Sequence, residues 1–201
     1  VVWDITDACN LNCCFCKRAV AEGALPPVRL TSEEKNRVID TIADAGVWLL
    51  SFCGGEPLLC DDLGPLIRRA KQRGLVVNIS TNGVLLKSRA RELAEAGVDI
   101  ITVSIDSADP EQFDAMRGRE GHFAGVVEGV QAVRDLRKVK RVFVEARCLV
   151  SRLNLFDLES FVNFWRDRVD AITLKPVYEN PVAGYLVPPE FRFKPEEKEK
   201  V

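Results

Sequence analysis

Apolar positions along the chain fall into two alternating rhythms. Short, nearly continuous apolar runs, the length of buried strands, occur near residues 1–6, 47–53, 75–80, 98–105, 141–150 and 171–177. Between them, the stretches 31–45, 61–73, 87–96, 122–138 and 155–168 carry apolar residues at helical spacing. The punctuation agrees with this division. Thr31 with Glu34 forms a capping box at the start of the first helix. Gly46, Gly74 and Gly97 each end a helix and turn directly into an apolar run, which predicts left-handed caps. Asp109-Pro110 with Gln112 reads as a further helix start, with proline at the first helical position. The alternation predicts an α/β domain with a parallel sheet and outer helices. Six strands are too few for a closed eight-stranded barrel.

Parallel α/β folds place function at the C-terminal ends of their strands, and the chemistry-bearing residues fall there. A cysteine-rich loop, CNLNCCFC, follows strand one, and Gly54-Gly55-Glu56-Pro57 ends strand two. Ser80 to Asn82 end strand three, Ser104 and Asp106 end strand four, Arg147 lies in strand five, and Pro176 to Tyr178 end strand six. Cys9, Cys13 and Cys16 read as C-x3-C-x2-C, which puts three thiolates on one short loop. A [4Fe–4S] cluster takes four cysteine ligands, so three leave one iron open to another ligand. Buried apolar fillers or a redox pair are the competing readings, disfavoured because Asn10 and Asn12 interleave the cysteines. A zinc finger would need a second ligand pair, and His122 is the only histidine. Cys14 abuts Cys13 but breaks the spacing. Cys53 reads as a small packed hydrophobe, Cys60 and Cys148 as structural, and Trp48 and Trp165 as core.

Composition narrows the class further. The 201 residues are 47% hydrophobic, enough for a real core, and the net charge of −2 gives no electrostatic reason to expect nucleic acid. No apolar run approaches the roughly twenty residues of a membrane span, and no signal peptide is visible. Seven cysteines, four of them crowded at the start, argue for metal in a reducing, cytoplasmic setting over a disulfide framework.

With GGEP some forty residues after the cysteines, the chain resembles the radical S-adenosylmethionine (SAM) superfamily. The matching residues are Cys9, Cys13 and Cys16 with Phe15 before the last cysteine, then Gly54 to Pro57, Ser80-Thr81-Asn82-Gly83 and Val103 to Ser107. The likeness is strongest to the branch holding the molybdenum-cofactor cyclase and the peptide-modifying SPASM/twitch enzymes. It implies an open, partial (βα)6 TIM-like barrel over residues 1–178, and an extension over 179–201 that starts a further module. It also implies a [4Fe–4S] cluster and SAM as cofactors, an external electron donor such as flavodoxin or ferredoxin, and reductive SAM cleavage. The deoxyadenosyl radical so formed would take a hydrogen atom from a peptide or small-metabolite substrate.

On that resemblance, backbone carbonyls around Gly54, Gly55 and Glu56 would accept from the SAM amino group. Arg147 would pair with its carboxylate, or with Glu145 on the same strand face. Ser80, Ser104 and Asp106 are placed for the ribose, Phe15 for the adenine, and backbone near Val177 and Tyr178 to complete the site. The cyclase is a poor match in detail. Ser51, Phe52 and Cys60 stand where it has arginines, and Glu145 where it has a substrate lysine. Two alternatives stay open: an iron–sulfur electron-transfer or sensor module, and a binding scaffold with a degenerate SAM site.

Overall fold

The computed structural model describes residues 1–16, 30–138, 140–178 and 187–200. Six strands form one sheet: β1 (Val2–Thr6), β2 (Leu49–Gly54), β3 (Val76–Thr81), β4 (Ile100–Ser104), β5 (Phe143–Val150) and β6 (Ala171–Pro176). They lie in chain order, each parallel to the next. Among the described residues six α-helices are interspersed: α1 (Ser32–Asp44), α2 (Leu63–Gln72), α3 (Leu86–Ala96), α4 (Pro110–Arg117), α5 (Phe123–Asp135) and α6 (Leu158–Trp165). This is the expected α/β architecture, a partial (βα)6 barrel open between β6 and β1. Among the described residues no helix is long and apolar enough to cross a membrane.

The local signals act as the sequence predicts. Thr31 Oγ1 accepts from the Glu34 N–H while Glu34 accepts from the Thr31 N–H. Asp109 accepts from the Gln112 N–H at 2.8 Å, starting α4. Gly46, Gly74 and Gly97 take φ of 75°, 77° and 101°, the left-handed region that only glycine enters cheaply.

Strand alternation sorts the side chains into two faces. Leu50, Phe52, Val77, Ile79, Ile101, Val103, Val144, Ala146 and Cys148 turn outward and form the core with Leu66, Ile67, Leu93, Val126, Phe161 and Trp165 of the helices. The opposite, concave face carries Ser51, Cys53, Asn78, Ser80, Thr102, Ser104, Glu145, Arg147 and Thr173. Register stacks these in rows, with Ser80 beside Thr102 and Glu145, and Ser104 beside Arg147 and Thr173. Hydrogen bonds knit them together. Asn78 donates to Ser51 at 2.8 Å, and Thr102 donates to Glu145 at 2.7 Å.

Two sequence expectations need correction. Trp48 is not core: it is 71% exposed, one residue before β2 begins, whereas Trp165 is fully buried. The apolar run starting at residue 47 is longer than the strand inside it. Cys53 is not packed as a hydrophobe but shares the polar face with Ser51, whose hydroxyl lies 3.5 Å from its sulfur. The 179–201 extension lies partly outside the described residues. Its later part folds back, with Val187 and Phe191 packing on Met116 and Phe15.

Candidate functional site

The loop carrying the cysteines leaves β1 and is held from two sides. On one side is the turn that ends β2. The Gly55 N–H donates to the Thr6 carbonyl at 2.8 Å and the Glu56 N–H to the Ala8 carbonyl at 2.7 Å, continuing the β1–β2 pairing up to the cysteines. This contact explains the glycines. A Cβ on Gly54, at φ +125°, would lie 2.3 Å from the Thr6 carbonyl oxygen, and one on Gly55 2.1 Å from that of Ala8. The close backbone approach expected for a ligand is therefore made by the cysteine loop itself.

Glu56 locks this turn. Fully buried, its carboxylate accepts from the Leu58 N–H at 3.0 Å, the Thr81 hydroxyl at 2.7 Å and the Asn82 N–H at 2.8 Å. Burial pushes its acidity toward higher pH, and these donors oppose that. Asn82 passes the connection on, its amide donating to Asn10 Oδ1 at 2.7 Å and reaching Cys9 Sγ at 3.9 Å. Sequence reasoning singled out Ser80 on this segment; the side chain that meets the loop is Asn82.

On the other side is the C-terminus of α4. The Arg117 carbonyl accepts from the Asn12 N–H at 3.3 Å, and Arg119 donates to the Asn10 carbonyl at 2.7 Å. Gly118, at φ +68°, lets the helix end approach so closely that a Cβ would sit 2.2 Å from the Asn12 carbonyl oxygen. Arg117 is 5% exposed, pairs with Asp106 at 2.6 Å and reaches Cys13 Sγ at 3.8 Å. Burial alone would lower the guanidinium's basicity, but the Asp106 carboxylate together with the Cys13 and Cys148 sulfurs outweighs this and raises it.

A pocket of about 220 Å³ opens beside this loop, lined by Phe15, Ser104, Asp106, Arg117, Arg147, Leu149 and Lys175. Four expected site residues, Phe15, Ser104, Asp106 and Arg147, thus converge from one loop and two strand ends. Ser80 does not line the pocket and sits on β3 beside Cys53. Tyr178 lies past the end of β6 and is largely exposed. Sequence reasoning missed Arg117 and Lys175. Lys175 lies in register with Leu149 at the mouth, a pairing the sequence does not display.

Two side chains behave differently from expectation. Asp106 is not offered to a ribose: Oδ1 accepts from the Leu149 N–H at 2.9 Å and Oδ2 pairs with Arg117. Arg147 makes the ion pair that was one of its two expected roles. Its Nη2 pairs with Glu145 at 3.0 Å, while its buried Nε has no partner among the described residues and sits at the pocket wall. Partial burial works against the ionised Glu145, but Thr173, Thr102 and Arg147 hold its carboxyl low.

All the cysteines are free thiols, and among the described residues no three acidic, cysteine or histidine side chains converge on one metal. In a four-iron cluster each thiolate binds a different iron, so its ligands stand farther apart than those of a single ion. Donor chemistry distinguishes the sulfurs. Cys9 and Cys13 accept N–H groups from Asn82 and Arg117, contacts that would also suit a thiolate. Cys14 donates its own S–H to the Met116 carbonyl at 3.2 Å, which requires the thiol. Burial pushes the Cys13 thiol up, with Arg117 pulling against it.

The profile of the Radical SAM superfamily matches residues 3–162. An AdoMet-dependent heme synthase of Methanosarcina barkeri is 38% identical over 159 residues, covering 79% of this chain and 44% of its own length. A GTP 3′,8-cyclase of Limosilactobacillus fermentum is 33% identical over 168 residues, covering 81% and 49%. The chain therefore spans less than half the length of these two relatives. Among solved structures, Streptococcus suis SuiB bound to S-adenosylmethionine aligns with a TM-score of 0.77 at 18% identity, covering 96% of this chain and 42% of that one. The anSMEcpe structure with AdoMet and the Kp18Cys peptide aligns at 0.76 with 17% identity, covering 99% and 56%.

Proposed function

The chain belongs to the radical SAM superfamily, a family of enzymes, and on that premise we propose that it cleaves SAM reductively to take a hydrogen atom from a peptide or small metabolite. Cys9, Cys13 and Cys16 would hold the [4Fe–4S] cluster, leaving one iron for the amino and carboxylate groups of SAM. When bound, the cluster supplies the electron that splits the sulfonium, and the adenosyl fragment supplies the hydrogen abstraction.

The rest is the work of this chain's own groups. Arg147 offers its Nε to the SAM carboxylate, and its pairing with Glu145 fixes the guanidinium plane. Ser104 offers a hydroxyl to the ribose. Phe15, edge-on to Phe191 with centroids 5.6 Å apart, gives the adenine an apolar wall. Backbone from the end of β6, near Val177 and Tyr178, completes the site. Lys175 stands at the mouth, where substrate enters. Arg117 and Arg147 are already paired with Asp106 and Glu145, so the pocket is poorly suited to a triphosphate.

The observation that carries this reading is the convergence of the pocket with a cysteine loop whose Cys9 and Cys13 sulfurs are met by N–H donors. A plain electron carrier would need the loop but not the pocket. The test is anaerobic reconstitution, iron and sulfide analysis, then SAM with dithionite or reduced flavodoxin. Four irons per chain with 5′-deoxyadenosine release are expected. A full cluster without SAM cleavage would favour the electron-transfer reading.

Arg147 gives a sharper check. Arg147→Ala should weaken SAM binding by about 1.5–3 kcal/mol, the worth of a charged hydrogen bond. Glu145→Ala removes an ion pair worth at most about 1 kcal/mol and the hydrogen bonds from Thr102 and Thr173, none of which touches SAM in this reading. Calorimetric titration of both proteins with SAM compares them. Equal affinities in wild type and Arg147→Ala would return Arg147 to a purely structural role.

A further inference from the structure

Arg117 lies outside the strand ends that supply the pocket's other polar groups, yet it joins the pocket to the cysteine loop. Its guanidinium is clamped. Nη2 meets Asp106 at 2.6 Å, and the Phe15 and Phe113 rings lie 5.5 and 5.7 Å from Cζ. Thus fixed, Nη1 stands 3.8 Å from the Cys13 sulfur. The carboxylate balancing this charge meets Nη2, leaving Nη1 for the sulfur. The α4 carbonyls that would otherwise face the loop are occupied by the Asn12 N–H and the Cys14 S–H.

We infer that Arg117 is a positioning residue that sets the reduction potential of the cluster through its N–H donation to Cys13; this rests on the proposed cluster. Reduction adds one electron to the cluster and makes its thiolate sulfurs more negative. An N–H donor and a nearby positive charge therefore stabilise the reduced form more than the oxidised form, raising the potential. Burial keeps water from screening the effect, and Asp106 prevents the guanidinium from swinging away.

Arg117→Met alone leaves Asp106 buried and unpaired, which endangers folding. The test therefore includes the charge-balanced double variant Arg117→Met/Asp106→Asn and the single variant Asp106→Asn. Each full chain is reconstituted anaerobically without SAM and titrated redox-potentiometrically by electron paramagnetic resonance. In the double variant, iron content should match wild type and the cluster should be at least tenfold harder to reduce, about 59 mV for one electron. Asp106→Asn, which keeps the guanidinium, should not fall below the wild-type potential. A wild-type potential in the double variant overturns the inference. Lost iron uptake in the double variant also overturns it, assigning the pair to holding the loop. If wild type itself takes up no cluster, the proposed function fails, a result distinct from either.

Discussion

Alanine at Cys9, Cys13 or Cys16 is expected to reduce reconstituted iron to near zero, while Cys14→Ala keeps most of it. Two remaining thiolates are too few anchors for a four-iron cluster. The Cys13–Cys14 contrast follows from what each sulfur does. Cys13 lies beside the charged Arg117, whereas Cys14 spends its proton on the Met116 carbonyl. Folding should not confuse the result for Cys9, which is exposed, since such surface changes move stability by about 0.5 kcal/mol or less. Cys148→Ala provides the opposite control: it is fully buried in the core, so it should lower the melting temperature and leave iron unchanged. Iron and sulfide analysis of the variants, with circular-dichroism melts, reads both quantities. Iron retained in Cys13→Ala but lost in Cys14→Ala would reverse the ligand assignment.

Much of this architecture was legible because it is written locally. The capping box at Thr31, the glycine caps and Asp109-Pro110 each act within a few residues, and each element they bound is present. The strand-end placement was legible too: Ser104 and Arg147, read from it, both line the pocket. The site's supporting contacts were less legible, because they join segments that no local pattern connects. Nothing near Arg117 in sequence says that the end of α4 will touch a loop a hundred residues earlier. The one trace is Gly118, which marks a helix end with an unusually close neighbour.

The same limit explains the misread side chains. Asp106 ends a strand at the mouth, as a ribose ligand should, but its carboxylate is consumed by Arg117 and the Leu149 N–H. Trp48 belongs to an apolar run, but the strand starts one residue later. In the GGEP turn, glycine correctly signalled a close approach, yet sequence could not say whether ligand or backbone fills the space. That distinction changes what a substitution there should do.

Gly55→Val is accordingly expected to cost both SAM binding and the cluster, not SAM binding alone. The added Cβ would lie 2.1 Å from the Ala8 carbonyl oxygen and 2.7 Å from its carbon. These are backbone atoms next to Cys9, so no rotamer change relieves the collision. Either the β2 turn moves, carrying Glu56 away from Thr81 and Asn82, or the cysteine loop moves and spoils the placement of Cys9. Forcing extra atoms into such packing typically costs about 1–3 kcal/mol. For a chain of this length, each kcal/mol lowers Tm by roughly 2–4 °C. Because the clash begins at Cβ, Gly55→Ala should show the same loss in milder form. Gly125→Ala is the matched control, since a Cβ on this α5 glycine meets nothing within 4 Å. There alanine should be neutral or stabilising by about 0.5–1 kcal/mol. Iron content, SAM titration and thermal melts of the three variants decide the matter. Full iron with SAM binding alone abolished in Gly55→Val would mean that the turn serves the ligand directly, and that the contact with Ala8 is not what requires glycine.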